Sequence, residues 1–107
     1  MTNNKIEGMG LMDFFRIGKS KEVINEMLER GAIIVDVRTP GEFNTGNVEK
    51  SINIPLDMIE SSINRIKKMN APIVLCCATG MRSGSASNIL KQHDIECCNG
   101  GSWSSLR

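Results

Sequence analysis

Residues 73–83 of this 107-residue chain read IVLCCATGMRS, and this stretch decides the fold. Its first five residues form a continuous apolar run, which is typical of a strand buried on both faces of a parallel sheet. Gly80 then marks a loop, and a helical pattern begins at Ser83. A strand that passes through a short loop into a helix is typical of α/β folds, whose sites form at the carboxyl ends of the strands. The sequence therefore predicts that Cys77 lies at a functional position.

Helices and strands alternate on both sides of this unit. Upstream, the pattern predicts a helix that Ser20 caps and Gly31 ends, with Val23, Ile24, Met27 and Leu28 on one face, and then a strand over residues 32–37 with Asp36 near its end. It next predicts a turn at residues 39–41, an irregular or single-turn segment over 42–48, a strand over 51–54, and a helix from Leu56 with Ile59, Ile63 and Ile66 on its apolar side. Downstream, a helix turns Ala86, Ile89 and Leu90 inward, and the last strand covers residues 95–98. We expect an α/β fold with a mostly parallel central sheet of about four to five strands and helices on both faces.

The size and composition of the chain favour a single domain over residues 1–107, of which residues 1–10 form a loose tail. No apolar run approaches the roughly 18 residues that cross a membrane, and the start of the chain lacks a signal-peptide pattern. We therefore expect a soluble, cytoplasmic protein without membrane contact. Thirteen basic and twelve acidic residues leave a net charge of +1, so nucleic acid is not an expected partner.

The four cysteines occur as two adjacent pairs, at residues 76–77 and 97–98. This spacing is not that of a disulfide-linked secreted domain, so reduced thiols are expected. Structural zinc ligands are normally separated by two to four residues, which adjacent cysteines are not. We predict neither a metal ion nor a cofactor.

The loop after Cys77 is predicted to hold the thiol as an anion. Gly80 can adopt backbone angles that let successive N–H groups point at the sulfur. The following helix adds its positive end and Arg82 adds a full charge, so the pKa of Cys77 should fall below its ordinary value. The residues predicted to surround the sulfur and bind substrate are Ala78, Thr79, Gly80, Met81, Arg82 and Ser83.

In this sequence, Cys77-x-x-Gly80-x-Arg82-Ser83 follows an apolar strand, and this pattern resembles the active-site loop of rhodanese domains. The similarity continues through Asp36-Val37-Arg38-Thr39-Pro40, Glu42-Phe43, Asn53-Ile54-Pro55 and Gly100-Gly101 with Trp103, so it covers roughly residues 20 to 105. Two departures occur outside the loop. Gly46-Asn47-Val48 stands where the family usually has Gly-His-Ile, and Lys50-Ser51 stands where it has small residues.

The resemblance implies a sulfurtransferase that works in two steps. The Cys77 thiolate would take a sulfane sulfur from a small donor such as thiosulfate, and an acceptor would then remove it from the Cys77 persulfide. Cyanide can serve as the acceptor in a test tube, and a thiol such as thioredoxin or glutathione can serve in a cell.

Two other functions compete with this interpretation. Cys76, which five residues separate from Arg82, fits the loop of tyrosine phosphatases and arsenate reductases, but the glycine then falls one place later than that loop has it. Because side chains alternate along a strand, only one of Cys76 and Cys77 can face the loop, and Cys76 is expected in the core. The second competitor is a catalytically inactive rhodanese-like module that binds a partner or senses redox state.

Several other residues have weaker claims to function. Arg82 could bind an anionic donor or pair with Asp36 or Glu42, and we expect it to do both. Arg38 and Glu42 are predicted to form a structural ion pair across the turn. The remaining expectations are a structural role for Asp36, Met81 exposed or shaping the loop, Trp103 as a core anchor, Cys97 and Cys98 as strand residues rather than resolving thiols, and His93 facing solvent.

Overall fold

The structure is a computed structural model and describes residues 20–107. The predicted loose tail, residues 1–10, and the side chain of Ser20 lie outside the described part of the chain. The described residues form helices α1 (Ser20–Glu29), α2 (Pro40–Asn44), α3 (Ile63–Lys68) and α4 (Met81–Gln92) and strands β1 (Ile33–Asp36), β2 (Ile52–Asn53), β3 (Ile73–Cys77) and β4 (Cys97–Ser102). Short 3₁₀ turns cover Leu56–Met58, Glu60–Ser62 and Trp103–Leu106.

The four strands form one parallel sheet in the order β2-β1-β3-β4. All five residues of β3 are buried, as expected for a central strand covered on both sides. Because the strands are parallel, they all end at one edge of the sheet, which we call the carboxyl edge. This is the α/β architecture that the sequence predicts.

Helices cover both faces of the sheet. On one face, α3 and α4 pack against Val35 and Leu75 in the larger part of the core, where Ala86 and Leu90 are fully buried. On the other face, Ile24 and Met27 of α1 pack against Val74. Gly31 ends α1 with φ of +92°, the left-handed stop that the sequence predicts.

The predicted helix from Leu56 begins instead as two 3₁₀ turns, and regular α-helix starts only at Ile63. The apolar spacing is nevertheless correct, since Ile59 and Ile66 are fully buried. The Leu56 amide donates to the carbonyl of Val37, the residue after β1, and the Ser61 hydroxyl donates to the Met58 carbonyl. Such a serine side chain competes with the helical backbone, which favours the tighter turn.

The turn predicted at residues 39–41 is the start of α2. Thr39 caps this helix, and its side chain accepts a hydrogen bond from the Glu42 amide while the Glu42 side chain accepts from the Thr39 amide. Pro40 occupies the first helical position, where its missing N–H costs nothing. The same Thr, Pro and Glu therefore make a capped helix rather than a turn.

The last strand lies further along the chain than predicted, at Cys97–Ser102 rather than over residues 95–98. Asn99, Gly100 and Gly101 are residue types typical of turns, yet here they continue β4, with an irregular register opposite Leu75 and Cys77. Gly100 is required by close packing, because a Cβ there would lie 2.8 Å from Val74 Cγ1. Within residues 20–107 no helix has the length and apolar character needed to span a membrane.

Candidate active site

Cys77 is the last residue of β3 and lies at the carboxyl edge of the sheet. Its side chain belongs to the core between the sheet, α3 and α4, whereas Cys76 points to the opposite face, beside Asp36 and Arg38. Burial, followed by the charge of Asp36, raises the pKa of Cys76 to about 12. The alternation predicted from the sequence therefore holds, and the geometry gives no support to a phosphatase loop that uses Cys76.

The Cys77 sulfur accepts hydrogen bonds from the loop that follows it. The Gly80 amide lies 3.0 Å from Sγ, and the Ser83 amide lies 3.4 Å from it. The Ser83 hydroxyl is also 3.4 Å from the sulfur. Gly80 adopts φ of +103°, a left-handed conformation that glycine tolerates best, and this lets the loop wrap around the sulfur. We call residues 77–83 the Cys77 loop.

The hydrogen bonds of the Cys77 loop favour the thiolate. Burial by itself raises the pKa of Cys77, because the side chain is fully buried. Hydrogen bonds from the Ser83 hydroxyl and from the backbone of Ser83, Gly80 and Thr79 outweigh this effect, so the net pKa lies below its ordinary value. The thiol is thus placed for nucleophilic chemistry.

The remaining loop residues are placed differently from one another. Ala78 and Thr79 are exposed, and 80% of Met81 is exposed at the surface of the loop. Arg82 does not donate to the sulfur: its Nη1 and Nη2 atoms bond both carboxylate oxygens of Glu42, at 2.8 and 3.0 Å. Of the predicted substrate-binding residues, Gly80 and Ser83 directly contact Sγ.

The predicted ion pair between Arg38 and Glu42 is wrong. Arg38 pairs with Asp36 instead, at 2.7 Å, and both side chains are almost completely buried. It reaches Glu42 only through the main-chain carbonyl, because the Glu42 carboxylate is taken by Thr39 and Arg82. Asp36 Oδ1 also accepts a hydrogen bond from the Arg38 amide. Asp36 therefore holds both the side chain and the backbone of Arg38, which fits the structural role predicted for it.

Trp103 was predicted to be a core anchor, but the structure does not enclose it in the core. Its ring is partly exposed and lies between the guanidinium groups of Arg38 and Arg107, 4.5 and 4.9 Å from the ring centre. The far edge of the ring packs against Gly46, where an added Cβ would lie 2.9 Å away. The tryptophan therefore anchors the end of the described chain to the α2 region through stacking.

Asn99 belongs to the site although the sequence pattern did not indicate it. Its Oδ1 accepts from the Ser83 hydroxyl at 2.7 Å and from the Gly101 amide at 2.9 Å, while its Nδ2 donates to the Gly80 carbonyl at 2.9 Å. One side chain thus holds both loop residues that contact the sulfur. The predicted last strand ended at Cys98 and left Asn99 in a loop, so the sequence did not place Asn99 beside the Cys77 loop.

Cys97 and Cys98 lie far from Cys77. Cys97 pairs with Ile73, four residues before Cys77, which corresponds to about 13 Å along the strand. That separation exceeds the reach of a disulfide, as expected for cysteines that only pack in the strand. His93 is only partly exposed, with Nε2 3.2 Å from Glu60, and no group of three or more side chains suited to a metal ion occurs in residues 20–107.

Comparison with known proteins identifies the family. Residues 20–104 match the Rhodanese-like domain family. The Bacillus subtilis protein YqhL, described as uncharacterized, is 36% identical over 64 residues, which are 60% of this chain and 50% of that protein. The adenylyltransferase and sulfurtransferase MOCS3 of Drosophila persimilis is 35% identical over 79 residues, which are 68% of this chain and 17% of that protein.

The chain therefore spans half the length, or less, of these curated relatives. Among solved structures, the crystal structure of a rhodanese-like domain protein from Staphylococcus aureus is similar with a TM-score of 0.67 and 31% identity, covering 79% of this chain and 83% of that one. The matched residues include the whole sheet and the Cys77 loop. This chain belongs to the rhodanese-like domain family.

Proposed function

We propose that this protein is a sulfurtransferase that carries sulfane sulfur on Cys77, from thiosulfate or a persulfide donor to a thiol acceptor. The observation that carries the proposal is the environment of the Cys77 sulfur. Two backbone amides donate to it and the Ser83 hydroxyl lies 3.4 Å away, and the pKa of the thiol is lowered despite complete burial. The proposal treats the chain as one domain with one site.

The first step is a displacement at sulfur. The Cys77 thiolate attacks the outer sulfur of the donor, a bond forms between the two sulfurs, and the bond to the rest of the donor breaks. With thiosulfate, sulfite leaves with the bonding electron pair, and Cys77 becomes a persulfide. The amides of Gly80 and Ser83 are positioned to stabilise negative charge on the sulfur, before transfer and after it.

The second step returns Cys77 to its thiolate form. An acceptor thiolate attacks the outer sulfur of the persulfide, takes it as its own persulfide, and releases the Cys77 thiolate. Thioredoxin and glutathione are suitable acceptors by chemical class, and cyanide is a convenient one in an assay. We place this reaction in the cytoplasm, where thiol acceptors stay reduced.

Mass spectrometry tests the proposal directly. The reduced protein is incubated with thiosulfate or with an alkyl persulfide, and its mass should increase by one sulfur atom, which a thiol acceptor then removes. Cys77→Ser should abolish the gain. The matched control is Cys98→Ser, because burial raises the pKa of Cys98 to about 11, and this variant should load normally.

An inactive binding module gives a different result. It would gain no sulfur from either donor, and Cys77 would react with alkylating agents with the pH dependence of an ordinary thiol. An adduct that persists in Cys77→Ser would also contradict the proposal, because it would place the sulfur on another cysteine.

A further inference from the structure

We propose that Glu42 is a specificity-determining residue that makes the Cys77 site favour persulfide donors over the thiosulfate dianion. The inference rests on the proposed sulfurtransferase function and concerns only the choice of donor. Its basis is the ion pair between Glu42 and Arg82. Because Arg82 is paired with Glu42, its positive charge is not free to bind an incoming anion.

Both members of the pair lie at the carboxyl edge of the sheet. Glu42 is in α2, which starts four residues after the end of β1, and Arg82 is the second residue of α4 and belongs to the Cys77 loop. The guanidinium is close enough to Cys77 for their charges to interact, although its strongest contact is with Glu42. The two side chains are 35% and 38% exposed, so a donor can reach them from solvent.

The ion pair is held firmly. Glu42 Oε1 and Oε2 each accept from one terminal nitrogen of Arg82, which is the bidentate geometry that makes such pairs strong. Thr39 also holds the carboxylate from the other side, through its amide at 3.0 Å and its hydroxyl at 3.1 Å. Glu42 therefore cannot turn away from Arg82 without breaking the cap of α2.

At neutral pH the pair contributes no net charge. The hydrogen bond from Arg82, followed by that from the Thr39 backbone, lowers the pKa of Glu42 to about 2, so the carboxylate is ionised. Within residues 20–107, no charged side chain donates a hydrogen bond to the Cys77 sulfur. The groups that contact the sulfur, two backbone amides and one hydroxyl, carry no charge, and they suit one negative charge.

The two donor classes place different charges at this site. When the Cys77 thiolate attacks thiosulfate, the reacting group carries three negative charges, and one stays on the new persulfide while two leave as sulfite. When it attacks a protonated alkyl persulfide, the reacting group carries one negative charge, the proton stays on the transferred sulfur, and an alkyl thiolate leaves. A carboxylate beside the loop opposes the first reaction much more than the second.

Glu42→Gln tests the inference with little change of shape. Glutamine keeps the side-chain oxygen that a capping box needs, so α2 should remain intact. The measurement is the rate constant of sulfur loading on Cys77 with thiosulfate and with the persulfide of mercaptoethanol, which carries no charge outside its sulfur. We expect the ratio of the thiosulfate constant to the persulfide constant to rise about tenfold, as removal of one charge close to a dianion predicts.

Glu26→Gln is the matched control. Glu26 also pairs with an arginine, Arg30, which in turn contacts Glu96 just before β4 begins, at the opposite edge of the sheet. This variant changes the net charge of the protein by the same amount, and the ratio of the two constants should stay that of the natural protein. If Glu42→Gln does not fold, as judged by circular dichroism, Glu42→Ala provides the same loss of charge.

Each outcome has one interpretation. A ratio that does not change in a folded Glu42 variant, or that changes equally in Glu26→Gln, overturns the role of Glu42. Failure of the proposed function looks different, because the natural protein would then gain no sulfur from the persulfide of mercaptoethanol either.

Discussion

The Ser83 hydroxyl donates a hydrogen bond to the Asn99 side-chain oxygen at 2.7 Å, so a residue of β4 holds a residue of α4 against the Cys77 sulfur. A hydroxyl has one proton, and the short contact with Asn99 uses it. Ser83 Oγ, 3.4 Å from Sγ, therefore accepts from Cys77 while the thiol is protonated. Once Cys77 ionises, the thiolate competes with Asn99 for the same proton. The stability of the Cys77 thiolate therefore depends on both Ser83 and Asn99.

Ser83→Ala should raise the pKa of Cys77. After burial, which raises this pKa, the Ser83 hydroxyl makes the largest contribution, and that contribution lowers it. A hydrogen bond to a charged group contributes about 1.5–3 kcal/mol, which corresponds to at least about one pKa unit. At pH values below the pKa of Cys77 in both proteins, the alkylation rate should therefore fall about tenfold.

The pH dependence of alkylation checks this. The rate follows the thiolate, so it decreases as the pH falls below the pKa, and the whole curve should move to higher pH in Ser83→Ala. Ser85→Ala is the control, since Ser85 is exposed and its hydroxyl donates to the Met81 carbonyl, away from the sulfur. Superimposable curves for the two variants would exclude the hydroxyl as a determinant of the thiolate.

Asn99→Asp should also weaken the thiolate, by a different route. The carboxylate still accepts from Ser83 and Gly101, but it cannot donate to the Gly80 carbonyl, and it adds a negative charge next to the loop. A like charge raises the pKa of an acid, so alkylation at pH values below the pKa of Cys77 in both proteins should slow about tenfold.

The control for this charge is Asn88→Asp. Asn88 is exposed on α4, further along the helix from Cys77, and the same substitution there should leave the alkylation curve in place. An equal shift in both variants would mean that net charge, and not the position of Asn99, governs the pKa.

The sequence was sufficient to predict the parts of the site that are local in the chain. The strand ending at Cys77, the left-handed Gly80 and the burial of Cys76 on the opposite face all follow from apolar runs, glycine and alternation within residues 73–83. These features depend on neighbours in sequence, so the pattern contains them.

The pairing of charges could be predicted only in part, since the sequence left both Asp36 and Glu42 open as partners of Arg82. Arg38 and Glu42 are close in sequence, and this proximity suggested an ion pair. The structure instead joins Glu42 to Arg82, 40 residues away, and Arg38 to Asp36. Which carboxylate meets which guanidinium depends on how α2 and α4 meet at the carboxyl edge, and sequence spacing does not carry that information.

Lys50 occupies a backbone conformation that a lysine does not favour. Its φ is +71°, in the left-handed region, at a position where the sequence departs from the small residues usual in the family. Glycine would avoid a steric cost of roughly 1–2 kcal/mol there. Part of this gain is lost, because glycine also increases the conformational entropy of the unfolded chain. We expect Lys50→Gly to increase the free energy of unfolding by roughly 0.5–1 kcal/mol in urea titrations.

A second lysine provides the comparison for this prediction. Lys67 lies inside α3, where glycine should lower the free energy of unfolding by about 1 kcal/mol. A loss of stability in both variants would show that the conformation of Lys50 is not strained enough to matter.

Gly100→Ala should strongly destabilise the fold and disturb the site with it. A Cβ at this position would lie 2.8 Å from Val74 Cγ1 and 2.9 Å from the Leu75 carbonyl oxygen, and the backbone of β3 cannot easily move away. Overpacking of this kind costs about 1–3 kcal/mol. Because Gly100 adjoins Asn99, any shift of β4 that relieves the clash also moves the residue that holds Ser83. Thermal unfolding should therefore occur at lower temperature, and alkylation of Cys77 should slow in the protein that remains folded.

Gly41→Ala separates close packing from the general effect of a glycine substitution. No atom lies within 4 Å of a Cβ at Gly41, and the residue is inside α2, where alanine is the better helix former. This variant should be as stable as the natural protein or slightly more stable, with unchanged alkylation of Cys77. If Gly100→Ala instead behaves like Gly41→Ala, the tight contact between β3 and β4 is not what keeps Asn99 in register with the Cys77 loop.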